Sequence, residues 1–183
     1  QRMKEVTKLI SDKEQKIVVL SAMSGTTNTL VEIADYLYKK NSVSANEVIN
    51  TLEAKYDSVI NELYTSESYK EQAKSSIKKN FDLLRALAKN NFFTVFEEKT
   101  VLAQGELMST AMVNLYLNEI GQKSVLIPAL DYMRIDKNNE PDAAYIREHL
   151  VKELAKHPQD TDIYITQGYI CRNAYNEIDN LQR

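Results

Sequence analysis

Hydrophobic positions follow two different periods along this chain, and the two periods predict strands and helices. Short apolar runs rich in β-branched residues occur at residues 17–20, 124–128 and 163–166, and each run predicts a buried strand. Elsewhere apolar residues recur every three or four positions, as in amphipathic helices. Residues 173–178 fit a hairpin after the third strand. Strands that alternate with helices predict an α/β fold with a mostly parallel sheet and helices on both faces.

The helical period predicts one helix after the first strand, a pair of long helices, and two later helices. These helices cover residues 28–40, 47–64, 68–90, 105–120 and 142–156. The long pair should pack as an antiparallel hairpin, which we treat as a helical insertion at about residues 44–90. Its outer faces are rich in Lys and Glu, which indicates either a solvated surface or a surface for a partner.

Helix boundaries are predicted from capping residues. Thr29 and Glu32 have the spacing of a capping box at the start of the helix predicted at residues 28–40. Gly121 is in the position of a helix-ending glycine, and Pro141 in that of a first-turn proline. Gly105 and Glu106 should open the helix that ends at Gly121.

Composition limits the protein class. The chain has 183 residues, a net charge of −3, and 27% charged against 43% hydrophobic residues, which is ordinary for one globular domain. Its basic residues form no sustained patch, so nucleic acid is not an expected partner. No apolar run approaches the ~20 residues that cross a bilayer, and Cys171 has no cysteine to pair with. A cytoplasmic location is therefore expected.

Polar side chains gather directly after the first strand. Ser21, Ser24, Thr26 and Thr27 precede a predicted helix N-terminus, where amide groups and the helix dipole favour a carboxylate or phosphate. Taken singly, such hydroxyls are more often cap and turn residues than ligands. Parallel strands end at one edge of a sheet, so this loop and residues 168–169 should share a crevice.

Other reactive side chains are less informative. Glu106 in a first helical turn could serve the helix dipole alone. His149 and His157 are isolated and predicted to lie on a helix surface, and Cys171 is predicted to be inert. Nothing resembles a Walker loop, a GxGxxG motif or a metal cluster. The residues alone therefore predict an α/β domain with a candidate anion site.

Three ordered motifs carry a resemblance. Residues 17–28 (IVVLSAMSGTTN), 104–110 (QGELMST) and 165–172 (ITQGYICR) resemble successive motifs of aspartate kinases. The stretch at 130–136 (LDYMRID) and the helix start at 141–142 are similar more loosely. The likeness therefore spans most of the chain.

The resemblance implies a three-layer amino-acid-kinase fold that uses ATP and Mg²⁺ to phosphorylate the β-carboxylate of aspartate. The product would be 4-phospho-aspartate, in the first step of lysine, threonine and methionine biosynthesis. By position, Glu106 would bind the ammonium group, Thr27 would hydrogen-bond the substrate, and Ser21 would line the pocket. Tyr169 stands where the family usually has phenylalanine, and Arg183 where it has a carboxylate-binding arginine, although Gln182 replaces the preceding glycine.

The resemblance also implies that residues 1–183 are a partial kinase domain, the substrate-binding lobe, incomplete at both ends. No catalytic residue is expected in this segment, because the family lysine would lie upstream in a Lys-Phe-Gly-Gly strand and the nucleotide-binding half would follow Arg183. We expect the full-length protein to form a homo-oligomer. Two other hypotheses remain: a kinase for a different amino acid on this fold, and a non-catalytic module that binds a small molecule.

Overall fold

Seven helices and five strands are formed by the residues that the structure describes. The structure, a computed structural model, describes residues 2–12, 14–90 and 92–181. The helices are α1 (Arg2–Ile10), α2 (Thr26–Tyr38), α3 (Ser42–Leu63), α4 (Glu67–Lys89), α5 (Val95–Glu119), α6 (Ala129–Tyr132) and α7 (Ala143–Leu154). The strands are β1 (Lys16–Leu20), β2 (Ser124–Leu126), β3 (Ile163–Gln167), β4 (Ile170–Arg172) and β5 (Ile178–Asn180).

A parallel sheet with the order β1-β3-β2 lies at the centre of the α/β part. Its middle strand, β3, is buried along its whole length. Ile163 and Ile165 pack toward α5 and α1, whereas Tyr164 packs toward α6 and α7, because alternate side chains of a strand point to opposite faces. The predicted α/β class, with helices on both faces of a parallel sheet, is therefore confirmed.

Strand β1 is less buried than its apolar sequence predicts. Val18 and Leu20 pack against the core beneath α5, but Ile17 and Val19 are exposed. β1 pairs only with β3 among the described strands, and the helix on that face, α7, lies over Tyr164 of β3. The prediction of a buried first strand is thus wrong for the face that carries Ile17 and Val19.

Helix α2 begins earlier than predicted. Gly25 is its N-cap, with a left-handed φ of 80°, a conformation that glycine adopts without a Cβ penalty. The Thr29 hydroxyl donates a hydrogen bond to the Gly25 carbonyl one turn back. Thr29 is therefore an interior residue, and the predicted capping box of Thr29 and Glu32 is wrong.

Helix α5 also begins earlier than predicted, by about three turns. Thr94 caps it, and Thr94 and Glu97 form a reciprocal capping box. Gly105 and Glu106 therefore lie in the helix interior, and the prediction that they open the helix is wrong. The Thr-x-x-Glu signature at 94–97 was present in the sequence, but the apolar stretch around it masked it.

Later elements follow the predictions more closely. The hairpin predicted at residues 173–178 is present, and it joins β4 to β5. Helix α7 is capped by the Asp142 side chain, which accepts from the amide of Tyr145, so Pro141 precedes the cap and is not in the first turn as predicted. Among the described residues, no helix combines the length and the apolar character that a membrane span requires.

The long helices α3 and α4 pack on each other and on α2 and α5, and they supply most of one large apolar core. Fully buried aromatic side chains occupy its centre, with Tyr56 and Phe81 in edge-to-face contact at 5.8 Å between ring centroids. At the end of α3 the Tyr64 hydroxyl donates to the carbonyl of Met112 at 2.6 Å. The predicted helical hairpin is therefore present and is anchored to α5.

We expect Phe81→Ala to lower the free energy of unfolding by about 3–5 kcal/mol, because it leaves a cavity in this core. Phe92→Ala removes the same side chain from a position that is 79% exposed, so it should change stability by no more than about 0.5 kcal/mol. Urea unfolding followed by circular dichroism measures both values. Equal effects of the two substitutions would contradict the described packing of the hairpin.

Candidate functional site

A pocket of about 840 Å³ opens at the carboxyl ends of β1 and β3. The two strands end side by side, since Leu20 is paired with Gln167 and the amide of Gly168 donates to the Leu20 carbonyl at 2.9 Å. The loops that follow both strands therefore border the same space. The pocket is lined by Ser21, Ala22, Thr27, Asn28, Glu106, Tyr169, Asn180 and Leu181.

Glu106 contributes a buried carboxylate to this pocket. Its side chain is only 3% exposed, and its Oε1 accepts a hydrogen bond from the backbone amide of Ala22 at 3.2 Å. One helical turn later, the Ser109 hydroxyl donates to the carbonyl of Ser21 at 2.8 Å. Helix α5 thus binds both polar groups of the peptide link between Ser21 and Ala22, and it holds this loop in place.

Gly105 allows α5 to approach the loop closely. A Cβ built on Gly105 would lie 2.9 Å from the Cβ of Ala22 and 3.3 Å from Leu30, and the first distance is too short for two carbon atoms. Any larger residue at position 105 would push the helix and the loop apart. The glycine before Glu106 is therefore required by packing between the two elements that carry the site.

The hydroxyl groups of the loop have different environments. Ser21 and Thr27 line the pocket. The sequence predicted such a position for all four hydroxyl-bearing residues of the loop. Thr26 is fully buried and its hydroxyl pairs with Tyr56, and Ser24 lies on the other side of the loop. Two of the four predicted hydroxyls therefore border this space, and the other two do not.

The N-terminus of α2 faces the pocket through Thr27 and Asn28. Amides in the first turn of a helix have no partner within the helix, and the helix dipole makes this end positive. The first turn of α2 contains no acidic residue to neutralise it. This wall of the pocket therefore suits a carboxylate or another anion.

Tyr169 lines the pocket in a strained conformation. It has a φ of 65°, which is uncommon for a residue with a Cβ and is often found at functional sites. Its carbonyl accepts the amide of Leu181 at 2.7 Å, so the β4–β5 hairpin folds back beside it. Strand pairing thus keeps the Tyr169 side chain at the pocket.

A buried polar network supports the helical turn that bears Glu106. The Gln167 side chain donates to the Thr110 hydroxyl at 2.8 Å and accepts the amide of Ala129 at 2.7 Å. The Thr110 hydroxyl in turn donates to the carbonyl of Glu106 at 2.7 Å. Since buried polar groups with paired partners give a well-defined geometry, this network links the end of β3 to the carboxylate-bearing turn.

Glu106 is the only charged side chain among the described residues that line the pocket. A buried carboxylate at one wall and a helix N-terminus at another suit a ligand that carries both a positive and a negative group. Arg183, the other predicted charged member, lies outside the described residues. The roles of Ser21, Thr27, Glu106, Tyr169 and Arg183 in binding a substrate stay predictions.

Sequence reasoning missed several pocket residues. Asn28 belongs to the first motif, but no role was predicted for it, and Asn180 and Leu181 lie after the last predicted turn. They border the pocket because β5 pairs with β4 and runs back toward Tyr169. No local signal marks such residues, since their position depends on a hairpin register.

The remaining reactive groups lie elsewhere. Among the described residues, no group of three or more His, Cys, Asp and Glu side chains could hold a metal ion. Cys171 is fully buried, and burial raises the pKa of its thiol to about 11, which agrees with the prediction that it is inert. His149 stacks on Tyr145 within α7 at 3.6 Å between ring centroids.

Comparisons with known proteins give one family and one set of solved structures. The model of the amino acid kinase family matches residues 1–182. Escherichia coli aspartokinase III is similar in its complex with aspartate and ADP (R-state), with 24% identity and a TM-score of 0.76, and in its complex with lysine and aspartate (T-state), with 24% identity and a TM-score of 0.80. Each comparison covers 99% of this chain and 40% of that chain.

Clostridium acetobutylicum aspartate kinase is similar at 17% identity with a TM-score of 0.68, over 100% of this chain and 38% of that chain. The chain therefore spans about 40% of the length of these aspartokinase chains. At such low identities the likeness shows a shared fold, and it leaves the choice of substrate to the chemistry of the site.

We expect Gly105→Ala to lower the free energy of unfolding by about 1–3 kcal/mol, because the new methyl group overpacks the contact with Ala22. In an exposed helix interior the same change would stabilise the helix by about 1 kcal/mol. Ala22→Gly removes the atom that clashes, so the double variant Gly105→Ala/Ala22→Gly should recover stability relative to Gly105→Ala alone. Urea unfolding of the four proteins measures the interaction between the two sites. Additive effects would contradict the close approach.

Proposed function

The chain belongs to the amino acid kinase family, and we propose that it is the substrate-binding part of an aspartate kinase. The reaction is the ATP-dependent phosphorylation of the aspartate β-carboxylate to 4-phospho-aspartate. Aspartokinase III of Escherichia coli, which is similar in fold, has been crystallised with aspartate and ADP, and this supports the choice of substrate.

The observation that carries the proposal is the convergence of three separate segments on one pocket. Ser21 and Thr27 of the first motif, Glu106 of the second and Tyr169 of the third line the same space. They are the positions to which the resemblance to aspartate kinases assigns substrate contacts. A chance likeness between short motifs would not be expected to bring these side chains together.

The charges of the pocket suggest how aspartate binds. The Glu106 carboxylate pairs with the α-ammonium group, and such charge-assisted hydrogen bonds are stronger than neutral ones. The hydroxyl groups of Thr27 and Ser21 and the N-terminus of α2 face the carboxylates of the substrate. Tyr169 closes the side of the pocket with its ring. The amino acid is thus oriented by an anionic wall and a positive wall.

The chemistry needs no general base. The β-carboxylate of aspartate has a solution pKa of about 3.9 and is ionised at neutral pH, so it is already a nucleophile. Glu106 therefore acts by positioning the ammonium group. The barrier comes from repulsion between two anions, and enzymes lower it with cations and amide donors placed in advance.

ATP supplies the phosphoryl group when it is bound, and Mg²⁺ neutralises its charge. The described residues do not fit either group by themselves. None of the described pocket residues is Lys or Arg, and the described residues form no cluster of potential metal ligands. We therefore assign amino-acid binding to this segment and derive no role in phosphate or metal binding for its described residues.

If this segment binds only the amino acid, the isolated 183-residue chain should not phosphorylate aspartate. In an assay that traps acyl phosphates with hydroxylamine, the complete encoded protein should form aspartyl hydroxamate from aspartate and ATP, whereas the isolated chain should not. Acyl phosphate formed by the isolated chain would contradict the proposal that catalytic cations come from outside this segment.

Two alternatives are separated by ligand choice. A kinase for another amino acid on the same fold would be stabilised by that amino acid in place of aspartate, because bound ligand raises the melting temperature. One methylene group, as between aspartate and glutamate, is worth about 1–3 kcal/mol in a shaped site. A non-catalytic binding module would show ligand stabilisation without hydroxamate formation by the complete protein.

We expect Glu106→Gln in the complete protein to raise KM for aspartate about 10- to 100-fold, because a neutral amide replaces the charged partner of the ammonium group. The substituted side chain keeps an oxygen that can accept the Ala22 amide. Initial rates of hydroxamate formation over a range of aspartate concentrations give KM and kcat.

Glu119→Gln is the matched control. Glu119 lies at the end of the same helix, where its carboxylate accepts the amides of Thr65 and Ser66, and it does not line the pocket. Its substitution should leave KM for aspartate unchanged. If Glu106→Gln and Glu119→Gln had the same KM, the assignment of Glu106 to the ammonium group would be wrong.

A further inference from the structure

Two adjacent residues of the helical hairpin contact the loop that leads into the pocket. Lys55 and Tyr56 lie on α3, and they contact Ser24, Gly25 and Thr26 across the interface with the loop. The hairpin is therefore more than a solvated pair of helices beside the sheet. Its inner face meets the backbone that precedes Thr27 and Asn28.

Lys55 binds the backbone at the turn. Its Nζ donates to the carbonyl of Ser24 at 2.9 Å, and it lies 3.4 Å from the position of a Cβ built on Gly25. Gly25, the next residue, has a left-handed φ of 80°, and the Ser24 carbonyl faces Lys55 of α3. A charged donor on this carbonyl favours that orientation of the peptide.

Tyr56 contacts the first residue of α2. Its side chain is fully buried, and its hydroxyl lies 3.3 Å from the Thr26 hydroxyl, which is buried as well. Burial raises the pKa of Tyr56 to about 12, and the negative charge of Glu106 also raises it. The phenol is thus neutral, and it is buried beside the first residue of α2.

The contacts of Lys55 and Tyr56 reach the pocket through Thr26. Thr26 is followed directly by Thr27, whose side chain lines the pocket, and both belong to the first turn of α2. A shift of Thr26 would move the Thr27 hydroxyl and the first-turn amides together. Small displacements of this kind matter because polar recognition depends on distance and angle.

We infer that Tyr56, with Lys55 beside it, is a positioning residue for the amino-acid pocket: the hairpin holds Thr26 and Ser24 so that Thr27 and the N-terminus of α2 meet the carboxylates of the substrate. This inference rests on the proposed function, because it assigns a purpose to the hairpin at that same site. It gives the helical hairpin a role in substrate affinity that its charged outer faces do not suggest.

Tyr56→Phe tests the inference with a minimal change. The substitution keeps the ring that packs edge-to-face against Phe81 and removes only the hydroxyl. In the complete protein we expect KM for aspartate to rise about 3- to 10-fold, as for the loss of one hydrogen bond that orders the site. KM for ATP should not change.

Tyr64→Phe is the matched control, because it removes another buried tyrosine hydroxyl that ties the hairpin region to α5. That hydroxyl donates to the carbonyl of Met112, away from the described pocket residues. Urea unfolding should show a loss of stability for Tyr64→Phe at least as large as for Tyr56→Phe, while KM for aspartate stays at the wild-type value. The comparison separates positioning from a general loss of stability.

Lys55 supplies a second measurement. Lys55→Met should raise KM for aspartate, and Lys55→Arg should restore it in part, because a guanidinium can still donate to the Ser24 carbonyl. Lys78→Met is the control, since Lys78 pairs with Asp82 on the exposed face of α4. If Lys55 were only a solvated surface charge, neither substitution would be expected to change KM for aspartate.

The outcomes distinguish this inference from the function on which it rests. A higher KM for aspartate in Tyr56→Phe but not in Tyr64→Phe supports the positioning role. If the wild-type protein phosphorylates aspartate and Tyr56→Phe and Tyr64→Phe both have its KM for aspartate, the positioning role is overturned and the proposed function stands. A complete wild-type protein that neither phosphorylates aspartate nor gains thermal stability from it overturns the proposed function, and the inference with it.

Discussion

The close contact between α5 and the loop after β1 is the constraint on which the site depends. Gly105 lets the helix approach until its surface touches Ala22, and at that distance Glu106 can accept the Ala22 amide while Ser109 donates to the Ser21 carbonyl. A carboxylate buried this deeply is costly unless its hydrogen bonds are satisfied. The contact therefore fixes the loop and also stabilises the charge that the pocket presents.

Polar groups inside the protein connect the elements that surround the pocket. Gln167 and Thr110 link the end of β3 to the turn that bears Glu106, and Tyr56 links the helical hairpin to the start of α2. Similarly, the Asn80 side chain donates to the Gln104 side chain at 2.8 Å, one residue before Gly105. Apolar packing supplies the bulk of the stability, but it has no preferred direction. These directional bonds decide where the pocket groups point.

Local patterns predicted the elements well and their starting points less well. The third strand, the long helical pair and the hairpin after Tyr169 are found where their periods and turns indicated. The starts of α2 and α5 were misplaced because weaker signals, a glycine cap at Gly25 and a capping box at Thr94, competed with apolar spacing further along. Glu106 was consequently assigned to a helix end, although its long-range contact with Ala22 is what brings it to the pocket.

The sequence by itself determined the α/β class, the helical hairpin and the three motifs whose residues are candidates for the site, because periodicity and motif order are properties of the chain. Only the tertiary structure decided which hydroxyls face the pocket and which support it. Ser21 and Thr27 line the space, whereas Thr26, of the same chemistry and adjacent to Thr27, turns inward to Tyr56. Neighbouring residues in a helix point about 100° apart, so the partner that each one meets depends on elements that are distant in sequence.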